Sequence, residues 1–337
     1  MDVVCLEYAT GGGGYEDPSV IASDSPFLRE GTLMLTAAVD DLLACPGVRV
    51  TVLLDRRLTV LSDRPIERVV VGSHSEMLDR LSTLTAFAHA TLLIAPECGG
   101  VLEDLTKRVE QAGGRLLSPD SRVVRLASDK QSTAEWLLAR GVPAPRGVRL
   151  SPGESLPSEF NYPAVLKPVD GAGSHRIQRL SGKGECTHAP RDGSGWRLER
   201  YCEGRAASVS VLSTPQGHFA LPAAWQHLTD DGTFNYCGGT TPIPEPWNQR
   251  AIGLALRAAA ALPPYQGYLG FDLVLGSADD GRDDVVIEVN PRITTSYIGV
   301  RQVVRENLMM PLLGAAMFDR TDNWTWRRYA ANPVRFG

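Results

Sequence analysis

The first third of the chain alternates short apolar runs with amphipathic segments. Four runs rich in aliphatic residues predict strands that are covered on both faces, at Val3–Leu6, Val48–Leu54, Val69–Val71 and Thr91–Ala95. The segments between them have the periodicity of helices, over Glu30–Ala44, His74–Ala88 and Val101–Ala112. Because this alternation is typical of βαβ units, we expect an α/β domain with a parallel sheet over residues 1–119.

From residue 120 onward the pattern becomes that of an α+β unit. One helix is predicted from an N-cap at Ser128 to Arg140, where Gly141-Val142-Pro143 ends it. A second helix is predicted over Trp247–Leu262. The strand candidates are Ala164–Lys167, Trp196–Cys202, Ala207–Leu212, Phe219–Trp225, Gly270–Leu275 and Asp284–Val289.

Acidic and amide side chains occupy the last two of these strands. Strand alternation places Glu288 and Asn290 on one face, and a turn at 277–283 can pair their strand with the one that carries Asp272. Two carboxylates and an amide suit Mg²⁺, with Mn²⁺ as an alternative, because these cations prefer oxygen ligands. Arg292, just beyond the strand, can then clamp a phosphoryl group. The alternative is a solvated hairpin face.

Two lysines and a glycine-rich loop precede this cluster. Lys130 lies at a helix start, where backbone N–H groups and the helix dipole already favour an anion. Lys167 ends an apolar strand just before the loop at 170–174, which can bring backbone N–H groups close to phosphates. The loop residues expected at the phosphates are Gly171, Gly173 and Ser174. Taken alone, either lysine is as consistent with an ordinary surface residue.

A strand that runs into Gly204 has main-chain groups to offer to an adenine ring. The residues of this candidate segment are Glu199, Arg200, Tyr201, Cys202 and Glu203. Read in isolation, the segment is a strand with exposed charges.

The amino-terminal part carries weaker signals. Gly11–Gly14 follows the first strand, but Pro18 precludes the immediate helix that a dinucleotide-binding fingerprint requires. A mobile loop at this strand end can still close over a small substrate. Glu7, Glu30 and Glu97 lie at strand ends or a helix start, where they either meet an amine or remain solvated.

Composition restricts the partners and the compartment. A net charge of -5 over 337 residues provides no basic field for nucleic acid or an anionic membrane, so neither partner is expected. The apolar stretch Thr85–Ala95 is too short to span a bilayer, and the amino terminus lacks the basic start of a signal peptide. Six cysteines without a C-x-x-C spacing are expected to be reduced, as in a cytoplasmic protein.

The order of these motifs resembles the ATP-grasp superfamily. The matching features are the Ser-Asp-Lys helix start, Lys167-Pro168 before the glycine loop, the strand at 199–204, Phe271-Asp272 and Glu288–Arg292. The resemblance covers roughly residues 119–317. It implies an ATP-grasp fold with a pre-ATP-grasp α/β domain at 1–119, an ATP-grasp domain at 120–320 with a small lid subdomain at about 143–198, and a tail at 321–337.

The resemblance also implies a role for each candidate residue. Lys130 and Lys167 would hold the α- and β-phosphates of ATP, the 170–174 loop would cover the triphosphate, and the strand at 199–202 would cradle adenine. Asp272, Glu288 and Asn290 would bind Mg²⁺. Arg292 would stabilise the transferring phosphoryl group, and Lys167 would join it as a catalytic residue. Many members carry a ribose-binding glutamate just after the glycine of the adenine strand. Here Arg205 follows that glycine, which leaves Glu203 as a substitute.

Three further strings are similar to the tyramine–glutamate ligases of methanofuran biosynthesis: Glu7–Gly13, Leu28–Gly31 with Met34, and Asn290–Tyr297. The likeness implies small-molecule substrates, with the γ-carboxylate of L-glutamate joined to tyramine or a related aromatic amine through an acyl phosphate. A homodimer is considered as well. The substrate-contacting residues that it implies are Glu7, Gly12, Gly13, Arg292, Thr294, Thr295, Ser296 and Tyr297.

Three other functions stay open. They are an ATP-grasp ligase or carboxylase for another metabolite, a catalytically silent ATP or ADP sensor, and a dinucleotide oxidoreductase. The missing ribose glutamate favours the sensor, whereas the complete set Asp272, Glu288, Asn290 and Arg292 favours an enzyme.

Overall fold

The computed structural model describes residues 1–171, 176–318, 325–327 and 332–337. Its amino-terminal domain consists of β1 (Asp2–Glu7), α1 (Tyr8–Gly11), α2 (Pro26–Leu43), β2 (Arg49–Asp55), β3 (Glu67–Val71), α3 (His74–Thr85), β4 (Ala90–Ile94) and α4 (Val101–Gln111). The four strands form a parallel sheet in the order β3-β2-β1-β4. The predicted strands and the α/β class of this domain are confirmed.

Side chains of this sheet alternate between two apolar cores. Val3 and Cys5 of β1 belong to the core on the α2 side, whereas Val4 and Leu6 belong to the core with α3 and α4. Burial of both faces of β1 explains why polar positions do not alternate with apolar ones in its run Val3–Leu6.

Two short helices, α5 (Ser121–Ser128) and α6 (Lys130–Leu138), follow the first domain. The predicted N-cap at Ser128 is wrong. Ser128 is the last residue of α5, and Asp129 caps α6 by accepting the Ser132 N–H at 2.8 Å. Both residue types are good N-caps, and the preceding helix, which the sequence pattern did not reveal, takes up the serine.

A small antiparallel sheet comes next. It contains β5 (Gly147–Leu150), β6 (Ala164–Pro168), β7 (Gln178–Leu180) and β8 (Trp196–Arg200) in the order β5-β8-β6-β7. Its core contains Leu150, Leu166, Trp196 and Leu198. β5 and β7 are short and carry charged residues, so apolar periodicity alone did not predict them.

The remaining elements build a large antiparallel sheet and its helices. They are β9 (Arg205–Thr214), β10 (Gly217–Ala220), β11 (Ala224–Leu228), β12 (Tyr236–Thr241), α7 (Glu245–Ala261), β13 (Gly267–Leu275), β14 (Val285–Asn290), α8 (Ser296–Val303), α9 (Met309–Phe318) and β15 (Val334–Phe336). The order is β14-β13-β9-β11-β12-β15, with β10 paired to β9. A single strand over Phe219–Trp225 is wrong, because the chain leaves the ladder around Pro222, which has no N–H to donate.

The two domains share one core. Residues of α2 and of the parallel sheet pack in the same cluster as Tyr268, Ile293 and Tyr297 of the second domain. The Tyr297 hydroxyl donates to Asp41 of α2, and Arg301 Nε donates to the same carboxylate at 3.0 Å. None of the helices in the described ranges is long and apolar enough to cross a membrane.

The Tyr297 contact leads to a stability prediction. Tyr297→Phe removes one hydrogen bond and leaves Asp41 paired with Arg301, so we expect the free energy of unfolding to fall by about 1 kcal/mol. Asp41→Ala should cost more, because a buried hydroxyl and a guanidinium both lose their acceptor. Urea denaturation measures both effects. Asp63→Ala, which alters an exposed carboxylate, is the control. Unchanged midpoints for both test variants would contradict this account.

Candidate active site

The strands that carry the predicted metal ligands are paired. β13 and β14 run antiparallel, with Asp272 opposite Glu288 and Gly270 opposite Asn290, so the predicted hairpin is confirmed. Asn290 Nδ2 donates to Asp272 Oδ2 at 3.0 Å. Gln226 of β11 donates its Nε2 to the other oxygen, Oδ1, at 2.9 Å. Sequence reasoning missed Gln226, because only the order of the sheet brings β11 close to β13.

Asp272 of this cluster has no ion pair within the described residues, whereas Glu288 is paired with Lys130. Burial and the neighbouring Glu288 raise the pKa of Asp272 to about 7, while hydrogen bonds from Asn290 and Gln226 act in the opposite direction. Within the described ranges, no group of three or more His, Cys, Asp or Glu side chains is arranged to hold a metal ion. A divalent cation between Asp272 and Glu288 would therefore need oxygens from Asn290 and from a bound phosphate, which is the usual mode for Mg²⁺.

Lys130 connects this cluster to the glycine-rich loop. Its ammonium lies 2.8 Å from Glu288 Oε1 and donates to the carbonyl oxygen of Gly171. Burial acts to lower the pKa of Lys130, but the charges of Glu288, Glu97 and Glu199 outweigh it and the pKa is raised. The structure thus brings Lys130, Gly171 and Glu288 together. The predicted phosphate-loop residues Gly173 and Ser174 lie outside the described residues.

Lys167 belongs to a second, fully buried network. Its Nζ lies 2.6 Å from Glu199 Oε1, and Arg197 Nε donates to Glu199 Oε2 at 2.7 Å. Arg197 also donates to the Pro145 carbonyl at 2.6 Å and to the Gln131 side chain. Arg197 and Gln131 were missed at the sequence level. Arg197 was detectable, because it lies two residues before Glu199 and hence on the same strand face.

The segment after β8 faces a loop of the large sheet. Tyr201 stacks on Phe234, with ring centroids 6.2 Å apart, and the Arg179 guanidinium lies 4.2 Å from the Tyr201 ring. Arg200 and Glu203 are exposed, and Cys202 is half-buried. These side chains line the boundary between the small sheet and the large one.

Arg292 contacts the amino-terminal domain. Its Nη2 donates to Glu97 Oε2 at 3.1 Å, and its Nε lies 2.9 Å from Glu97 Oε1. Burial opposes the charged form of Arg292, but Glu97, Glu288 and Glu30 together raise its pKa. The predicted phosphoryl clamp therefore lies at the boundary of the two domains, between the acidic pair Asp272–Glu288 and three carboxylates of the first domain.

The other two carboxylates of the first domain near Arg292 are Glu7 and Glu30, and they have different partners. Glu7 caps α1, with its oxygens accepting the Ala9 and Thr10 N–H groups at 3.0 and 2.8 Å, and burial raises its pKa to about 7. Burial also raises the pKa of Glu30, and the charge of Arg292 opposes that effect. The half-buried Glu30 carboxylate has no hydrogen bond or ion pair within the part of the chain that the structure describes.

The hydroxyl groups after Arg292 fall into two sets. Thr294 Oγ1 and Ser296 Oγ lie 2.7 Å apart, and the Tyr268 hydroxyl lies 3.4 Å from Thr294. The pKa of Tyr236 is raised to about 12, mainly because the residue is buried. A hydrogen bond to Thr295 acts to lower this pKa, whereas the charges of Glu30 and Asp272 act to raise it. Tyr236 was missed at the sequence level, although it lies among Thr295, Glu30 and Asp272.

Two predicted substrate regions are placed differently. Tyr297 is fully buried and its hydroxyl is engaged by Asp41, so the structure does not bring it to Arg292. The glycine run predicted as a loop forms helical turns instead. Gly11 ends α1, and Gly13–Tyr15 forms a 3₁₀ turn; Gly12, which lies between them, and Gly13 are buried. A Cβ at Gly13 would lie 2.4 Å from the Tyr8 ring, so close packing explains the glycine.

Known proteins share this architecture. The chain is 23% identical to the tyramine–L-glutamate ligase of Methanocaldococcus jannaschii over 301 residues, 89% of this chain and 84% of the relative. It is also 23% identical to that of Methanocaldococcus fervens over 302 residues, 89% of both chains. An ATP-grasp superfamily protein of Archaeoglobus fulgidus has a TM-score of 0.70 and 22% identity, covering 94% of this chain and 89% of that one. The L-amino acid ligase of Bacillus licheniformis has a TM-score of 0.66 and 19% identity, covering 94% and 74%.

Family models match both domains. The model of the ATP-grasp domain matches residues 127–296, half of the chain, and that of the pre ATP-grasp 3 domain matches residues 48–124. The first match spans the paired strands β13 and β14, both buried lysines and Arg292. The second covers most of the parallel sheet that supplies Glu97. The chain therefore belongs to the ATP-grasp family of ligases, with a pre-ATP-grasp domain at its amino-terminal end.

Proposed function

We propose that this protein is an ATP-dependent, ADP-forming ligase that joins the γ-carboxylate of L-glutamate to tyramine or a related aromatic amine, as in the biosynthesis of methanofuran-type cofactors. The observation that carries the proposal is the convergence, at one domain boundary, of an acidic Asp272–Glu288 pair, Lys130 and Arg292. The two tyramine–L-glutamate ligases that match this chain over most of their length support the choice of substrates.

The donor set of the acidic pair fits Mg²⁺ or Mn²⁺. Two carboxylates face each other, and the Lys130 ammonium lies between Glu288 and the loop. Burial first, and then the charge of Glu288, raise the pKa of Asp272. A bound Mg²⁺ would offset this charge and polarise the phosphate oxygens that it shares. In this proposal Asp272, Glu288 and Asn290 hold the metal, and Gln226 orients Asp272 by its hydrogen bond.

The buried lysines supply the nucleotide side. Lys130 and Lys167 carry positive charge next to the glycine loop and β8, where the triphosphate and adenine of ATP would lie. Their present partners, Glu288 and Glu199, orient both ammonium groups in the buried site. We assign Gly171 and the residues Gly173 and Ser174 to the triphosphate, and Glu199, Arg200, Tyr201, Cys202 and Glu203 to the adenosine.

Arg292 serves the transferring phosphoryl group. A γ-carboxylate oxygen of glutamate attacks the γ-phosphorus, the bond to ADP breaks, and an acyl phosphate forms. The neutral amine then attacks the acyl carbon, the bond from that carbon to the phosphate oxygen breaks, and the departing phosphate takes up the proton that the nitrogen loses. Charge on the phosphoryl oxygens has to be stabilised in a water-excluded site, which a fixed guanidinium does well. Thr294, Thr295 and Ser296 would contact the glutamate beside Arg292.

In this proposal the amine substrate binds next to the amino-terminal domain, at a place that we call the amine side. Glu7 and Glu30 add negative charge around Arg292. Of these, Glu30 is half-buried and lacks a protein partner within the described ranges, so it is the better acceptor for a substrate ammonium. The ring of Tyr236, which lies near Glu30, would form one wall of this side.

The reaction itself gives the first functional test. With ATP, Mg²⁺, glutamate and tyramine, we expect ADP and phosphate release that requires both substrates, and a glutamyl amide in the mass spectrum. A panel of other amines, tyrosine included, ranks the acceptor. Phosphate release that is independent of both substrates would refute the ligase function, and nucleotide binding with no turnover on any amine would favour a sensor.

Substitutions in the acidic pair test the metal assignment. Asp272→Asn and Glu288→Gln should each lower kcat by about 100-fold or more, because developing charge loses its counter-ion. Asp280→Asn, on the exposed turn of the same hairpin, is the matched control and should behave as the native protein. The kinetics are measured over a series of Mg²⁺ concentrations. Near-native activity of Glu288→Gln would refute the assignment.

Glu30→Gln tests the amine side. Loss of one charged hydrogen-bond partner should raise KM for the amine about tenfold, with KM for ATP unchanged. Steady-state kinetics with the amine varied at saturating ATP and glutamate measure this. An unchanged KM for the amine would show that Glu30 does not contact it.

A further inference from the structure

The turn after β4 joins the two domains at the catalytic arginine. Glu97 in this turn is 3% exposed, and the Arg292 side chain that it contacts is 14% exposed. The two residues come from different domains and lie far apart in the sequence. A carboxylate so deeply buried needs a counter-charge, so the contact is a firm constraint on both side chains.

Two of the three nitrogens of the Arg292 side chain donate hydrogen bonds to the protein, and the third lies against the Glu97 carboxylate. Nη2 donates to Glu97 Oε2 at 3.1 Å, and Nη1 donates to the Ile293 carbonyl at 3.3 Å. Nε lies 2.9 Å from Glu97 Oε1 without the alignment of a hydrogen bond. These contacts fix the plane of the guanidinium, and a lysine could not reproduce them because it lacks the planar fork.

The turn that carries Glu97 is itself held in place. The Leu102 N–H donates to the Pro96 carbonyl at 3.1 Å, which closes the turn. Gly99 and Gly100 have φ values of 62° and 74°, a region that favours glycine. The Gly99 N–H also reaches Asp170 Oδ2 at 3.3 Å, at the base of the glycine-rich loop. A rigid support of this kind is what an orienting carboxylate requires.

We propose that Glu97 is a positioning residue that orients the Arg292 guanidinium toward the transferring phosphoryl group. This inference rests on the proposed function only through the role of Arg292. It replaces the sequence-level interpretation of Glu97 as a contact of the amine, because both carboxylate oxygens already face Arg292. Glu97 acts through the arginine and touches neither substrate.

A double-mutant cycle tests the coupling. Glu97→Gln should lower kcat about 10- to 100-fold, the loss that follows a misplaced catalytic group, with KM for ATP and for the amine within about twofold of native. In an Arg292→Lys background the same substitution should change kcat by less than about twofold, because the group through which it acts is gone. Glu103→Gln removes another acid–arginine pair of the same domain, Glu103–Arg125 at 2.7 Å, and is the matched control.

A ligand that mimics the transferring phosphoryl group gives a readout that does not depend on substrate identity. Calorimetry measures the affinity for ADP·Mg²⁺ with and without aluminium fluoride. We expect the native protein to bind ADP·Mg²⁺ more tightly when aluminium fluoride is present; this increase in affinity is called the fluoride gain below. Glu97→Gln and Arg292→Lys should both lose the fluoride gain while they retain ADP binding. Glu97→Asp, which keeps the charge but shortens the side chain, should lose part of it. It also serves as the second variant if Glu97→Gln folds poorly.

The outcomes separate this inference from the proposed function. A native protein that shows the fluoride gain, loses it in Glu97→Gln and yet forms no glutamyl amide would refute the substrates and support the role of Glu97. A raised KM for the amine in Glu97→Gln, persisting in the Arg292→Lys background, would overturn the inference in favour of amine contact. Unchanged kinetics in Glu97→Gln, or no fluoride gain in the native protein, would overturn it as well.

Discussion

Charge that is buried has to be paired, and this constraint organises the structure around the site. The ion pairs at its centre are Lys130–Glu288, Lys167–Glu199, Arg197–Glu199 and Arg292–Glu97. Removing one partner of such a pair leaves an uncompensated ion at a cost of about 3–5 kcal/mol. Three of the pairs join different elements. Lys130–Glu288 links α6 to the large sheet, Lys167–Glu199 links two strands of the small sheet, and Arg292–Glu97 links the second domain to the amino-terminal domain.

The pairing is incomplete where a ligand would complete it. Within the described residues, Asp272 receives two hydrogen bonds but no ion pair, and Glu30 receives neither. Glu7, a third acid near Arg292, accepts two backbone N–H groups, so in the proposed reaction Asp272 and Glu30 are the acids that meet groups from outside. The positions differ in chemistry, since Asp272 has a second carboxylate opposite it whereas Glu30 lies beside a tyrosine and the start of a helix. The first suits a metal ion and the second an ammonium.

The two domains contribute different residues to the site. The ATP-grasp domain contains the acidic hairpin, both lysines and Arg292, which together perform phosphoryl transfer in the proposed reaction. The pre-ATP-grasp domain contributes Glu97 to the same chemistry and Glu30 to the side where an amine would enter. A shared apolar core fixes one domain against the other, which keeps these groups aligned. In the proposed reaction, Glu30 of the first domain takes part in the choice of amine.

Features that follow from local order were determined by the sequence alone. The strands of the parallel sheet and the hairpin of Asp272, Glu288 and Asn290 were predicted correctly, because strand alternation has a fixed period of two. Local reasoning failed where two signals competed, as at Ser128 beside Asp129. It also missed the short strands β5 and β7, because three or four residues that include charged ones show no apolar periodicity.

Only the tertiary structure decided which side chains act as partners. Gln226 on Asp272, Glu97 on Arg292 and Asp41 on Tyr297 join residues that are far apart in the sequence. No local pattern encodes such a distance, because it depends on the order of strands in a sheet and on how two domains pack. The types of residue needed for phosphoryl transfer could therefore be identified from the sequence. Their orientation depends on ion pairs and burial that join residues far apart in the sequence.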